Sequence, residues 1–288
     1  MFEFVLAEKA HYPVRTMCAV LGVSPSGYYA WRGRPLFSPQ VRANQRLRRR
    51  IRVIHAESRQ RYGSPRIHAA LQASGERVGR NRVIQLMRAE QLRGRPRRRF
   101  RVTTTRSDAT ASPAPNRVNQ VFQVSKPNTV WTGDITAIPT GEGWLYLAVL
   151  LDLYSRRIVG WAVRPTLETE LVGAAWHMAV ARRQPARGLI HHSDRGSQYT
   201  SDRYQALLRA HGVMCSMSRS GNCFDNAPTE SFFRTLKVEI DDQCYWPTRR
   251  AATGAIAAFI DRFYNTERLH STLNYRSPAG FERSRAAA

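Results

Sequence analysis

Lysine is nearly missing from these 288 residues: it occurs at Lys9, Lys126 and Lys237, so 42 of the 45 positive charges are arginines. Acidic side chains are also scarce, 21 in all, leaving a formal net charge of +24. A field of that sign excludes cationic partners and basic ligands and favours polyanions, whose phosphates match the planar fork of arginine. Cysteine is sparse, and Cys18, Cys215, Cys223 and Cys244 show no C-x-x-C pairing, which argues against both a zinc site and a disulfide framework. They read as reduced packing thiols. Long apolar runs are missing too. The longest, Trp144–Leu151, has eight residues, far below the ~20 that a membrane helix needs. Met1–Tyr12 lacks the basic-then-apolar order of a secretory signal, so the expected place is the cytoplasm.

What is present suffices for a folded enzyme, since apolar residues make up 42% of the chain and aromatics 10%. The charge is uneven: residues 1–110 hold 24 basic and 6 acidic side chains, whereas residues 111–288 hold 21 and 15. The first part is therefore the one expected to grip phosphate. Pro13–Arg32 reads as a helix, a Gly22-Val23 turn, and a second helix capped by Ser24 with Pro25 at its first position, a helix-turn-helix outline. Further helices follow over Gln40–Ser58, from Ser64-Pro65, and from near Asn81. Candidate DNA contacts are Arg66 and Arg82 in the helix pair, and Arg95, Arg97, Arg98 and Arg99 in the arginine run Arg93–Arg101. The expected division is a helix-turn-helix-like segment over 1–38, a basic helical region over 39–101, a linker over 102–127, and a catalytic core with a helical extension over 128–288.

Downstream the apolar period changes from helical to alternating. Val130–Pro139, Leu145–Leu153 and Arg157–Val163 suggest a three-strand meander, and Glu168–Arg183 a helix. A strand over Leu189–His192, a helix over Asp202–His211 and a strand over Val213–Met217 complete a mixed α/β sheet with helices on its faces. Trp131, Trp144, Trp161 and Trp176 read as core aromatics.

Three carboxylates stand out. Asp134 interrupts an apolar strand, where burial is costly without a backbone amide, an arginine or a divalent metal to compensate it. Asp194 ends a strand, the usual ligand position in open α/β sheets, although an aspartate before glycine can also cap its own turn. Glu230 falls in the first turn of a helix for which Asp225 or Asn226 is the expected cap, with Arg234 and Lys237 on the same face at i+4 and i+7. One end of that face could hold metal and the remainder a DNA backbone. Asp152 reads as a turn cap or arginine partner, and His191 and His192 as packed or hydrogen-bonded.

The runs Trp131-Thr-Gly-Asp134-Ile-Thr136, His192-Ser-Asp194-Arg-Gly-Ser-Gln-Tyr-Thr-Ser201 and Gly221-Asn-Cys-Phe-Asp-Asn-Ala-Pro-Thr-Glu230-Ser-Phe-Phe-Arg-Thr-Leu-Lys237 closely resemble the IS-three family of bacterial insertion-sequence transposases, second reading frame. Thirty-five residues separate Asp194 from Glu230, as in the integrase-like DDE triad. Leu21-Gly-Val-Ser24, Gly27-Tyr-Tyr-Ala-Trp31, Tyr62-Gly-Ser-Pro-Arg66 and Tyr264-Asn265 with Arg268 and His270-Ser271 extend the resemblance over nearly the whole chain. It implies an RNase H-like core in which Asp134, Asp194 and Glu230 bind two Mg²⁺ ions, with Mn²⁺ able to substitute. It implies cleavage and strand transfer on double-stranded DNA, at element ends and target, by a homo-oligomer, with an upstream reading-frame product as a further partner. The rival readings are a non-catalytic DNA-binding regulator and a general RNase H-like nuclease.

Overall fold

In the computed structural model the described residues are 1–33, 39–94, 113–219, 222–240 and 246–286. The chain divides into two compact units, Met1–Arg95 and Pro96–Ala288.

The first unit is helical: α1 (Phe2–Glu8), α2 (Val14–Val20), α3 (Pro25–Arg32), α4 (Pro39–Glu57), α5 (Ser64–Ala73) and α6 (Arg80–Ala89). Gly22 turns the chain between α2 and α3 with φ +65°, and Ser24 Oγ accepts from the Gly27 backbone N–H at 3.0 Å, so the expected cap forms. Val5, Met17, Cys18 and Tyr28 make a small core there. A second packing set comes from Leu47, Ile51 and His55 of α4, Ile67 and Leu71 of α5, and Val83, Leu86 and Met87 of α6.

The second unit is built on a mixed sheet of β1 (Val130–Thr140), β2 (Gly143–Asp152), β3 (Ile158–Arg164), β4 (Ile190–Ser193) and β5 (Met214–Met217). Among the described residues the strand order is β3-β2-β1-β4-β5. β1 runs antiparallel to β2 and β2 to β3, while β4 is parallel to both β1 and β5. The helices are α7 (Thr169–Arg183), α8 (Ser197–Thr200), α9 (Asp202–Ala210), α10 (Ala227–Ile240), α11 (Arg249–Ala257), which continues as a π-helical stretch over Ala258–Tyr264, and α12 (Pro278–Ala286).

Alternation along the strands feeds two cores, because successive side chains leave opposite faces. Trp131, Ile135, Ala148 and Leu150 pack with Trp176 of α7 and Tyr204 of α9. Val130, Ile138, Leu147, Val149 and Leu151 pack on the other face with Phe232, Phe233 and Leu236 of α10 and Ile256 of α11. Gly160 admits α7 onto the sheet: a Cβ there would lie 2.2 Å from the Ala175 carbonyl oxygen.

Three expectations change. Trp144 is 46% exposed, since it opens β2 directly after the hairpin glycine, before the strand passes beneath a helix. The expected cap at Asp225 or Asn226 is replaced by a 3-10 turn, Cys223–Asn226, that runs straight into α10 and is itself capped by Asn222. Of the 102–127 linker, residues 102–112 lie outside the described residues, whereas Val118 is buried in the core with Phe122 and Val124 against it, so that stretch is docked.

Candidate active site

β1 and β4 bring the first two carboxylates together through strand register. Val130, Trp131 and Thr132 pair with Ile190, His191 and His192. Continued two steps, this register would align Asp194 with Asp134 across strands about 4.8 Å apart. β4 stops at Ser193, and Asp194 turns away from the ladder, its Oδ1 accepting from the Gly196 N–H at 3.1 Å. Asp134 remains inside β1 on the face turned toward α10, and its Oδ1 accepts from the Ile135 N–H at 2.8 Å.

The third carboxylate arrives on α10. Thr229 Oγ1 lies 2.6 Å from Thr132 Oγ1, with both residues buried. Asn226 Nδ2 donates to the Gly133 carbonyl at 3.1 Å. These two ties set the first turn of α10 over the Thr132–Asp134 stretch, and Glu230 is the next residue. Glycine is required at position 133 because a Cβ there would lie 2.7 Å from the His191 ring.

The three groups share one electrostatic field. Burial holds the Asp134 carboxyl well above its usual range, and the charge of Asp194 raises it further; the Ile135 N–H lowers it, Glu230 raises it, and Lys237 lowers it. Burial likewise raises Glu230, opposed by Arg234. The i+4 and i+7 cations therefore reach the carboxylates as their spacing suggests. Even so, among the described residues no three His, Cys, Asp or Glu side chains form a group able to hold a metal ion as they stand. Asp134 and Asp194 each turn an oxygen to a backbone N–H. The donor set nevertheless suits a hard divalent ion: it consists of carboxylate oxygens, and the negative charge that crowds Asp134 is what a dication would neutralise.

Neighbouring groups are structural. Burial pushes His191 down to about 3 and His192 to about 4, so both rings are neutral near pH 7. His191 Nε2 meets Tyr204 Oη at 3.1 Å, and His192 lies between the hydroxyls of Ser216 and Ser218. Asp152 is fully buried, accepting from the backbone N–H groups of Asn128 and Tyr154 and from Arg183.

In the helical unit, the Arg66 guanidinium stacks over the Tyr62 ring at 5.6 Å. Arg82 gives Nε and Nη2 to Asn44 Oδ1, at 3.0 and 2.8 Å, an internal bond that takes up part of its fork. Arg95, Arg97, Arg98 and Arg99 lie outside the described residues. Sequence reasoning included α4 in the basic helical region but singled out none of its arginines; the helix exposes Arg42, Arg49 and Arg50 on its surface while Arg46, Arg48 and Arg52 pair with Glu76 and Glu90. It also missed Thr132 and Thr229, whose one available signal was a polar residue sharing a face with Asp134 or adjoining Glu230, and it read Asn226 only as a candidate helix cap.

Residues 42–100 match a family described as an HTH-like domain. Residues 124–223 and 211–278 match two families, each described as an integrase core domain. With the mixed sheet and its flanking helices, these matches make the second unit an RNase H-like integrase core. The chain is 44% identical over 266 residues to the insertion element IS600 uncharacterized 31 kDa protein of Shigella sonnei, covering 92% of this chain and 97% of that one. It is 44% identical over 237 residues to the transposase for insertion sequence element IS904 of Lactococcus lactis subsp. lactis (strain IL1403), covering 82% and 93%. It is also 37% identical over 287 residues to transposase InsF for insertion sequence IS3A of Escherichia coli (strain K12), covering 99% of both chains. Likeness of this extent, over both the helical unit and the integrase core, shows that the chain belongs to the IS3 family of insertion-sequence transposases.

Proposed function

We propose that this protein cleaves and rejoins DNA strands at the ends of an insertion sequence in a divalent-metal-dependent reaction, with Asp134, Asp194 and Glu230 as the metal-holding carboxylates. The observation that carries this reading is geometric: β4 runs parallel beside the stretch of β1 that leads to Asp134, and the Thr229–Thr132 and Asn226–Gly133 bonds fix the turn before Glu230 over that same stretch, although Asp194 and Glu230 lie 60 and 96 positions from Asp134 in sequence. Mg²⁺, or Mn²⁺ in its place, held by these oxygens would activate the attacking oxygen and offset charge on the leaving one, as a pair of ions does in phosphoryl transfer.

The chain's own residues hold the DNA. Arg234 and Lys237, beside the carboxylates, would take phosphate oxygens of the strand being cut. The helical unit would grip the duplex with the exposed arginines of α4, with Arg66 and Arg82, and with the run containing Arg95, Arg97, Arg98 and Arg99. Joining two ends calls for more than one copy on DNA, and an upstream reading-frame product is a further candidate partner. Among the described residues no helix is long and apolar enough to cross a membrane, and the proposed place of action is the nucleoid.

Asp134→Asn, Asp194→Asn and Glu230→Gln should each abolish strand transfer by the purified chain on an element-end duplex in Mg²⁺, while gel-shift binding persists. Activity retained in any of the three sinks the assignment. A regulator would leave the unaltered chain inert, and a general nuclease would cut unrelated duplexes equally well.

A further inference from the structure

Asp225 has no exposed surface, yet it is a charged residue in a turn. Its Oδ2 accepts from Asn116 Nδ2 at 3.0 Å, from the Arg219 backbone N–H at 2.9 Å and from Arg219 Nε at 3.1 Å. Its Oδ1 accepts from Gln120 Nε2 at 2.9 Å and from Arg219 Nη2 at 2.8 Å. Five donors saturate a carboxylate, which offers about four lone-pair sites, so Asp225 has no oxygen left to ligate a metal. Its partners come from two places: the segment before β1, which holds Asn116 and Gln120, and the turn after β5, which holds Arg219. What it fixes is the 3-10 turn that launches α10. From that turn Asn226 reaches the Gly133 carbonyl, and three residues further on Thr229 reaches Thr132.

We propose that Asp225 is a positioning residue for Glu230: its carboxylate locks the entry of α10 to the segment before β1 and to the turn after β5, and so holds Glu230 where it can share a divalent cation with Asp134. The inference rests on Glu230 being a metal-holding carboxylate, as proposed above. An amide at 225 keeps the shape but turns N–H donors toward donors, so the lock fails although the volume is unchanged. Arg219, by holding Asp225 with three of the five bonds, also keeps it ionised down to acidic pH.

The test is a Mn²⁺ titration of the full chain, followed by the paramagnetic resonance of the free ion, with circular dichroism used to compare variants at equal folded fraction. Glu230→Gln should lose binding, and Asp225→Asn should bind about tenfold more weakly, the lower end of what loss of a supporting partner costs a metal site. An Asn116→Ala/Gln120→Ala double variant should weaken binding in the same direction. Glu282→Gln breaks a different ion network in the same unit and serves as the control, losing stability while binding Mn²⁺ as the unaltered chain does. If Asp225→Asn, or the double variant where Asp225→Asn does not fold, binds Mn²⁺ as tightly as the unaltered chain while Glu230→Gln loses it, the positioning role is overturned and that of Glu230 stands. If Glu230→Gln also binds normally, both are overturned.

Discussion

At Gly160 the backbone of α7 occupies the volume that a methyl group would need, and the atom met at 2.2 Å is a carbonyl oxygen, which cannot rotate aside. Gly160→Ala should therefore destabilise the core unit by about 2 to 3 kcal/mol, the upper range for overpacking, seen as a lower urea midpoint. Asp134 affects stability through its proton. In the unfolded chain that carboxyl ionises near its usual 3.8, whereas in the folded one burial and Asp194 keep it protonated to higher pH. The folded state binds more protons over that window, so its stability is full below pH 3.8 and falls as pH rises through the raised value. Without metal, Asp134→Asn should gain on the unaltered chain as pH rises above 3.8, and added Mg²⁺ should reverse the order; parallel urea midpoints without that crossing would contradict the site. Asp134 was legible in sequence because a carboxylate in an apolar strand conflicts with its surroundings. Asp225 was not. An aspartate before Asn-Ala-Pro looks like a helix cap, and the partners that give it another role lie about a hundred positions upstream, at Asn116 and Gln120, or at Arg219, which nothing in the sequence marks.

At the scale of elements, helices could be read where one face is buried, since burial imposes a period, as at Leu47 and Ile51 on α4, and β2 as a short apolar run, because it is buried on both faces from Leu147 to Asp152. Junctions were harder, because they depend on what they touch rather than on a repeat. The motif Tyr264-Asn265 shows this. Asn265 Oδ1 accepts from the Ile158 N–H at 2.9 Å and its Nδ2 donates to the Ile158 carbonyl at 3.0 Å, imitating a neighbouring strand on the outer edge of the sheet. Asn265→Ala leaves both buried backbone groups unpaired and should cost about 2 to 3 kcal/mol, with faster amide exchange confined at first to the start of β3. Uniform exchange throughout the sheet would contradict that local role.

For the whole molecule, the uneven charge was the plainest feature of the sequence, whereas the faces on which it is displayed required the fold. Pairing with Glu76 and Glu90 takes up part of the arginine set of α4, and the exposed Arg42, Arg49 and Arg50 are left to meet phosphate. Replacing those three by glutamine should reduce the slope of log K against log salt by about 2 to 3, close to 0.9 per lost phosphate contact. It should weaken binding to element ends and to unrelated duplex alike. An unchanged slope would move the DNA to another face.

A protein that entrusts its positive charge to guanidinium is left with few primary amines. Of its three lysines, Lys237 lies close enough to Asp134 to alter that carboxyl. An acylating reagent, which ignores arginine, thus becomes a chemical footprint of the proposed catalytic surface: bound DNA should shield Lys237 from labelling, and a mass spectrum of the digested chain would show it against Lys9 and Lys126.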